Sequence, residues 1–218
     1  MSSSRFRAFC GNRREVGTLM ADRETMDAYA ERAEDYANRF GSDTPGAHMQ
    51  RFIAAIPEGG RVLDLGCGPG QSSAFMREAG LSVTSWDASV AMAEIGRKRF
   101  GLDTQVKEFS DLQETEIYDG IYANFSLLHA PKSEMPDHLA RISKAMKPGG
   151  VLHLGLKAGD GEKRDRFGRF YAFYQDAEIT GLLADAGLTV KTRDFGEEAG
   201  LEGTVDPWII LTARKAAS

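Results

Sequence analysis

Cysteine is scarce in this chain of 218 residues: Cys10 and Cys67 are the only two, and no grouping with the four histidines has the spacing of zinc ligands. That excludes a disulfide-stapled secreted domain and a structural zinc site; the cytosol is the expected compartment and no metal is expected. Long apolar runs are also missing. None approaches the roughly 18 residues that a membrane-spanning helix takes, so no membrane partner is expected. Nor is there a basic excess, because 32 acidic residues against 27 lysines and arginines leave a formal net charge of −5. Broad affinity for nucleic acid is accordingly disfavoured, and the expected partner is a small molecule. Repeats and low-complexity linkers are absent as well, so a hydrophobic content of 42% over this length reads as one α/β domain around one core. Residues 1–20 stand apart, with Arg5, Arg7, Arg13 and Arg14 against the single acid Glu15, and are expected to form a disordered basic arm before a domain over 21–218.

What is present is glycine in a telling place. Val62, Leu63 and Leu65 read as a buried strand that turns through Gly66, Gly68 and Gly70, and the apolar residues from Phe75 to Ala79, closed by Gly80, read as the helix that follows. Glycines at this turn let the backbone approach a ligand closely. The spacing is G-x-G-x-G; the dinucleotide fingerprint G-x-G-x-x-G would need glycine where Gln71 stands. Asp64, just ahead of the loop, would repel a pyrophosphate but pairs well with an ammonium group, which favours a cationic ligand. Asp87, at the end of the next apolar stretch, is placed to accept hydrogen bonds from ribose hydroxyls. Cys67, between two of the glycines, reads as small filler of the loop and not as a nucleophile.

From Asp64 to Gly70 the sequence resembles the first motif of the class I S-adenosylmethionine-dependent methyltransferases. The similarity continues through Glu108-Phe109-Ser110-Asp111, Tyr118 to Asn124, and the turn Met146-Lys147-Pro148-Gly149-Gly150-Val151-Leu152, and covers about residues 20 to 214. It implies a doubly wound, Rossmann-like α/β fold: a seven-stranded, mostly parallel sheet with an antiparallel last strand and helices on both faces. It also implies S-adenosylmethionine as cofactor. Gly66, Cys67, Gly68 and Gly70 would hold its methionine end, Asp64 would orient the loop and the amino group, and Asp87 with Ala88 would take the ribose. Glu108 and Phe109 would contact adenine, Asn124 and Phe125 would border the methionine moiety, and an amino-terminal helical lid, about 21–56, would bring Tyr29 to the cofactor mouth. Phe125-Ser126-Leu127 departs from the Asn-Pro-Pro-Tyr motif of nucleobase-amino methyltransferases, which disfavours DNA N-methylation.

The remaining pattern alternates helices and strands. Met26, Tyr29, Ala30, Ala33, Tyr36, Ala37 and Phe40 recur at spacings of three and four, describing one amphipathic helix from Asp22 that Gly41 ends; a second is expected from His48 to Ile56. Tyr29 and Tyr36 are either lid residues, Tyr36 on the substrate side, or core packing. Helices are expected over Val90 to Phe100, Lys132 to Met146 and Asp176 to Ala186, and strands over Thr104 to Lys107, Ile117 to Ala123, Val151 to Leu156, Thr189 to Phe195 and Val205 to Ala213. Such sheets bind ligands beyond the carboxyl ends of their strands, which singles out Asn124 to His129. His129 is the candidate proton acceptor, with a structural hydrogen-bonding role as its alternative. The charged and aromatic segment from Lys157 to Tyr174 is expected either as an exposed lid in which Arg166, Arg169, Phe170 and Tyr171 recognise an anionic or planar group, or as the start of the next helix's core face with Arg169 paired to nearby acids. The function expected is methyl transfer to a small-molecule acceptor by in-line displacement. The alternatives are a methyltransferase acting on RNA or protein, a catalytically silent S-adenosylmethionine-binding protein and, countered by Gln71 and Asp64, a NAD-dependent oxidoreductase.

Overall fold

A computed structural model describes residues 22–217; the expected basic arm lies outside them. The chain enters through helix α1 (Arg23–Glu31), whose amino terminus is capped by Asp22, the side chain accepting from the Thr25 amide at 2.9 Å. The expectation of one helix from Asp22 to Phe40 is corrected here. Arg32 leaves the helical region at φ −121°, ψ 17°, and α2 (Ala33–Arg39) starts on a new axis that seats Ala33 and Ala37 against Met92 and Ile95. A periodic apolar pattern cannot reveal such a break, because the repeat continues through it. Helix α3 spans Ala47–Ala54.

Five strands then line up in parallel. They are β1 (Arg61–Leu65), β2 (Ser82–Asp87), β3 (Gln105–Val106), β4 (Tyr118–Asn124) and β5 (Met146–Ala158), in the order β3-β2-β1-β4-β5. Helices α4 (Gln71–Glu78), α5 (Val90–Phe100) and α6 (Met135–Ala145) make the crossovers. Helix α4 begins at the end of the glycine loop, ahead of its apolar run. Helix α6 starts later than Lys132, because Lys132–Glu134 form a separate 3-10 turn with Pro136 in the first helical turn. After α7 (Asp176–Asp185) come β8 (Leu188–Ala199) and β9 (Val205–Lys215); β9 runs antiparallel to β5 and β8 antiparallel to β9. This is the expected seven-stranded sheet with its antiparallel closing strand.

Two strands were not foreseen. The segment from Lys157 to Tyr174 folds as a hairpin of β6 (Glu162–Arg164) and β7 (Phe170–Tyr174), bringing the sheet to nine strands. At Lys157, β5 pairs with Trp208 of β9 on one edge and with Phe173 of β7 on the other, so β7 takes the edge that β4 leaves after Asn124. Tyr171 to Tyr174 are all buried. Aromatic residues fit a pleated, half-buried surface, which is why this run forms neither an exposed loop nor a helix.

Successive residues of β1 point to opposite faces. Leu63 and Leu65 join the larger core with Ile121, Leu139, Leu152 and Leu211, whereas Val62 joins Phe52, Met76 and Tyr122 beneath α3 and α4. Packed on both faces, the sheet leaves its carboxyl edge as the open rim, and a cavity of about 700 Å³ lies there. Among the described residues no helix is long and apolar enough to cross a membrane.

Candidate functional site

The floor of the cavity is the glycine loop. Gly66 and Cys67 both donate their amides to the Trp86 carbonyl at 2.8 Å, which pins the loop to the end of β2. Gly66 has φ +75°, and a Cβ there would fall 2.4 Å from the Ser126 Cβ, so no larger residue fits. At Gly68, φ +54°, an added Cβ would meet nothing nearer than a Tyr36 ring carbon at 4.0 Å, so this face of the loop is open to the cavity. Beneath the loop, Asp64 is buried and accepts a 2.7 Å hydrogen bond from the Ser73 hydroxyl, which itself accepts from Ser85 at 2.7 Å. Burial, opposed by that bond and reinforced by the charge of Asp87, pushes its carboxyl up to about 7. Asp87 accepts from the Gly68 amide at 2.7 Å and from the Ser89 amide at 2.8 Å, and burial raises its carboxyl too. Ala88 follows it on the cavity wall.

A buried carboxyl group, Asp64, and a half-buried one, Asp87, flanking an open stretch of backbone make a seat that lacks a positive charge. The observed donor set therefore fits S-adenosylmethionine, whose ammonium and sulfonium groups supply that charge and whose ribose hydroxyls can donate to Asp87. Glu108 and Phe109 stand beyond Asp87, at the start of the 3-10 turn Phe109–Asp111, and line the same cavity.

Asn124 and Phe125 border it where β4 ends. The Asn124 carboxamide oxygen accepts from His153 Nε2 at 2.9 Å, and His153 stacks on Tyr122 with ring centres 4.1 Å apart. Those contacts hold the amide by its oxygen. Phe125 adopts φ +54°, a strained conformation for a residue with a side chain that costs on the order of 1–3 kcal/mol. Its amide bonds to the Gly155 carbonyl at 2.9 Å, and the ring lies on the cavity wall.

Above this floor, His129 bonds through Nδ1 to the Phe170 carbonyl at 2.6 Å and through Nε2 to the Tyr29 hydroxyl at 2.8 Å. A carbonyl can only accept, so Nδ1 carries the proton and Nε2 accepts from Tyr29. Burial, opposed by the bond to Phe170, pushes the imidazole down to about 4, which keeps it neutral. Tyr36 meets Tyr29 edge-on, centroids 5.5 Å apart, and both rings line the cavity, so the lid assignment of the two tyrosines has a geometric basis.

The other lid residues sit differently. Arg169 is buried and holds Asp165 through Nη2 at 2.6 Å and Nε at 2.8 Å; its remaining reach is a 3.4 Å contact with the Tyr29 hydroxyl. Arg166 lies over the Phe167 ring in the β6–β7 turn, and Tyr171 packs against His129 at 4.8 Å. None of the three lines the cavity. The expectation that Arg169 recognises an anion is thus corrected: its guanidinium is already paired with Asp165, as the alternative expected, and it supports Tyr29 from behind.

Several further residues line the cavity for which the sequence offered a weak case, as for His138 and His48 as proton acceptors, or none. His138 is buried against Phe109, ring centroids 5.5 Å apart, and neither ring nitrogen has a hydrogen-bond partner among the described residues; Glu134 stands 3.6 Å away. The four-residue spacing of Glu134 and His138 on one helical face was the available signal. At the opposite end, His48 and Trp208 meet edge-on at 5.8 Å, and Glu198 stands at the rim. No local motif joins residues so distant along the chain.

A family model described as a methyltransferase domain matches residues 38–192. The chain belongs to that methyltransferase family. A trans-aconitate 2-methyltransferase of Variovorax paradoxus is 35% identical to it over 131 residues, 56% of this chain and 49% of the relative. Another, from Paracidovorax citrulli, is 33% identical over 182 residues, 77% of this chain and 67% of the relative. The chain spans about half the length of the first curated relatives it matches. The crystal structure of the 1,6-didemethyltoxoflavin N1-methyltransferase of Burkholderia thailandensis, with 1,6-didemethyltoxoflavin and S-adenosylhomocysteine bound, superposes on this methyltransferase domain with a TM-score of 0.67 at 23% identity, covering 88% of each chain. At that identity the likeness is one of fold.

Proposed function

We propose that this methyltransferase domain is an S-adenosylmethionine-dependent enzyme that methylates a small-molecule acceptor. The observation that carries the reading is the pair of carboxyl groups, Asp64 buried and Asp87 half-buried, on either side of Gly68, where no side chain stands. Gly66, Cys67, Gly68 and Gly70 would hold the methionine end, Asp87 and Ala88 the ribose, Glu108 and Phe109 the adenine, and Asn124 and Phe125 the flank of the methionine group. When bound, S-adenosylmethionine supplies a methyl carried on a positively charged sulfur.

The protein's own task is to align the acceptor, exclude water and move one proton. Tyr29 and Tyr36 close the cavity over the glycine loop. The Tyr29 oxygen can take a proton from an acceptor hydroxyl or amine while its own proton passes along the 2.8 Å bond to His129 Nε2. His129 is a weak base here, so the relay loads only as the acceptor gives up its proton.

Calorimetry with S-adenosylhomocysteine and with NAD tests the donor assignment: binding of the first and not the second is expected, and the reverse would overturn it. Salt-sensitive RNA binding would instead promote the macromolecular acceptor.

A further inference from the structure

We propose that the acceptor end of this cavity takes a flat molecule bearing a basic nitrogen and turns away carboxylic acids. The proposal rests on the donor reading above, because that reading decides which end is left for the acceptor. Asp87, Glu108 and Phe109 lie toward β2 and β3, and Trp208 and Ile210 of β9 lie on the far side of β5. The donor occupies the first side, so the acceptor meets the second.

The walls there are flat and apolar. Met49 and Trp208 line the cavity there, and Tyr36 over Gly68, with Phe40 4.7 Å from it, stands between that end and the glycine loop, which suits an aromatic ring. Its charge is of one sign. The cavity is lined by six carboxyl groups, Asp22, Asp64, Asp87, Glu108, Glu134 and Glu198, of which Asp22 is already paired with Arg164, and among the described residues by no lysine or arginine. The guanidinium groups that come near are already taken, Arg169 by Asp165, Arg164 by Asp22 and Arg51 by Asp194. An anionic acceptor would find no cation to bind it and would add to the charge of Asp64 and Asp87, whose carboxyls burial already raises. Glu198 is the carboxylate of the acceptor side. It is exposed at the rim, has no ion-pair partner among the described residues, and its charge reaches the Tyr36 hydroxyl. An ammonium on the incoming molecule would complete it, while the polar groups near the ring, the Asn124 amide and the His48 imidazole, serve neutral edges equally well.

Three probes share an indole ring and differ in charge: tryptamine, tryptophol and indole-3-propionate. They are titrated by calorimetry, at neutral pH and low salt, into the full chain saturated with S-adenosylhomocysteine. Tryptamine is expected to bind, with indole-3-propionate at least about tenfold weaker because it faces like charge. In the Glu198→Gln variant, tryptamine should weaken about threefold to fivefold, the scale of one exposed ion pair, while tryptophol and S-adenosylhomocysteine bind as before. Equal or tighter binding of indole-3-propionate, no binding of tryptamine, or undiminished tryptamine binding to the variant would overturn the proposal and leave the donor reading standing. Failure of S-adenosylhomocysteine to bind strikes the donor reading itself, and this proposal with it.

Discussion

Asp87 has one duty on view and a second one proposed, and the geometry separates them. Its carboxylate fastens the Gly68 and Ser89 amides and still has lone pairs for a donor's ribose. Asp87→Ala should therefore weaken S-adenosylhomocysteine binding about tenfold to a hundredfold, the scale of one or two charged hydrogen bonds; calorimetry measures it, and an unchanged affinity would remove the residue from the ribose role. Tyr29 and His129 form a pair whose proton positions follow from their partners. A nuclear magnetic resonance titration should place the His129 midpoint near 4, well under the ordinary 6.5, with His129→Gln assigning the signal. Tyr29→Phe leaves the Nε2 lone pair buried and unpaired, costing about 1–3 kcal/mol of stability. Methyl transfer in that variant should fall about a hundredfold if the relay is the proton path; undiminished turnover would discard the relay.

The hairpin of β6 and β7 is where element-level reading of the sequence went astray. Glycines and alternating charges in Lys157 to Gly168 suggest a loop, and only the sheet's geometry shows that the edge vacated by β4 is filled by Phe170–Tyr174. The glycine loop was legible because tight turns leave a chemical signature in a few consecutive residues. Helix α5 was legible from end to end, since Ser89 caps it and Gly101, at φ +62°, stops it. Of the proposed acceptor wall only Tyr36 was legible, because residues from α2, α3, β8 and β9 meet only after the sheet has formed. Arg169 shows the difference: its type suggested anion recognition, and its burial beside Asp165 makes it a support of the hairpin. Asp165→Asn should accordingly lower stability by about 3–5 kcal/mol, as expected when one partner of a buried ion pair is removed. Urea unfolding reads that cost, and a loss below about 1 kcal/mol, the range of exposed pairs, would assign the pair no structural role.

Over the whole molecule, three neutral histidines are buried: His129 and His138, each pushed down to about 4, and His153, pushed down to about 3. The unfolded chain protonates all three near 6.5, so it takes up protons that the fold refuses, and stability falls as pH drops below that point. Asp64 opposes this, because its carboxyl at about 7 binds a proton in the fold that the unfolded chain releases. Three groups outweigh the opposing carboxylates, and between pH 6.5 and 4.5 unfolding should take up a net of about one to two protons. Urea midpoints measured across that window should decline steadily on acidification; a midpoint that rises would show that the carboxylates dominate.

The division of labour along the chain has a consequence for how such a protein changes over generations. On the proposed reading the grip on the donor would be drawn from the central stretch between Asp64 and Phe125, whereas the far chamber would be upholstered by the two flanks, Tyr36 to Met49 and Glu198 to Ile210. On that reading, descendants would re-tailor their diet by editing those flanks and keep the inherited handle on the donor intact.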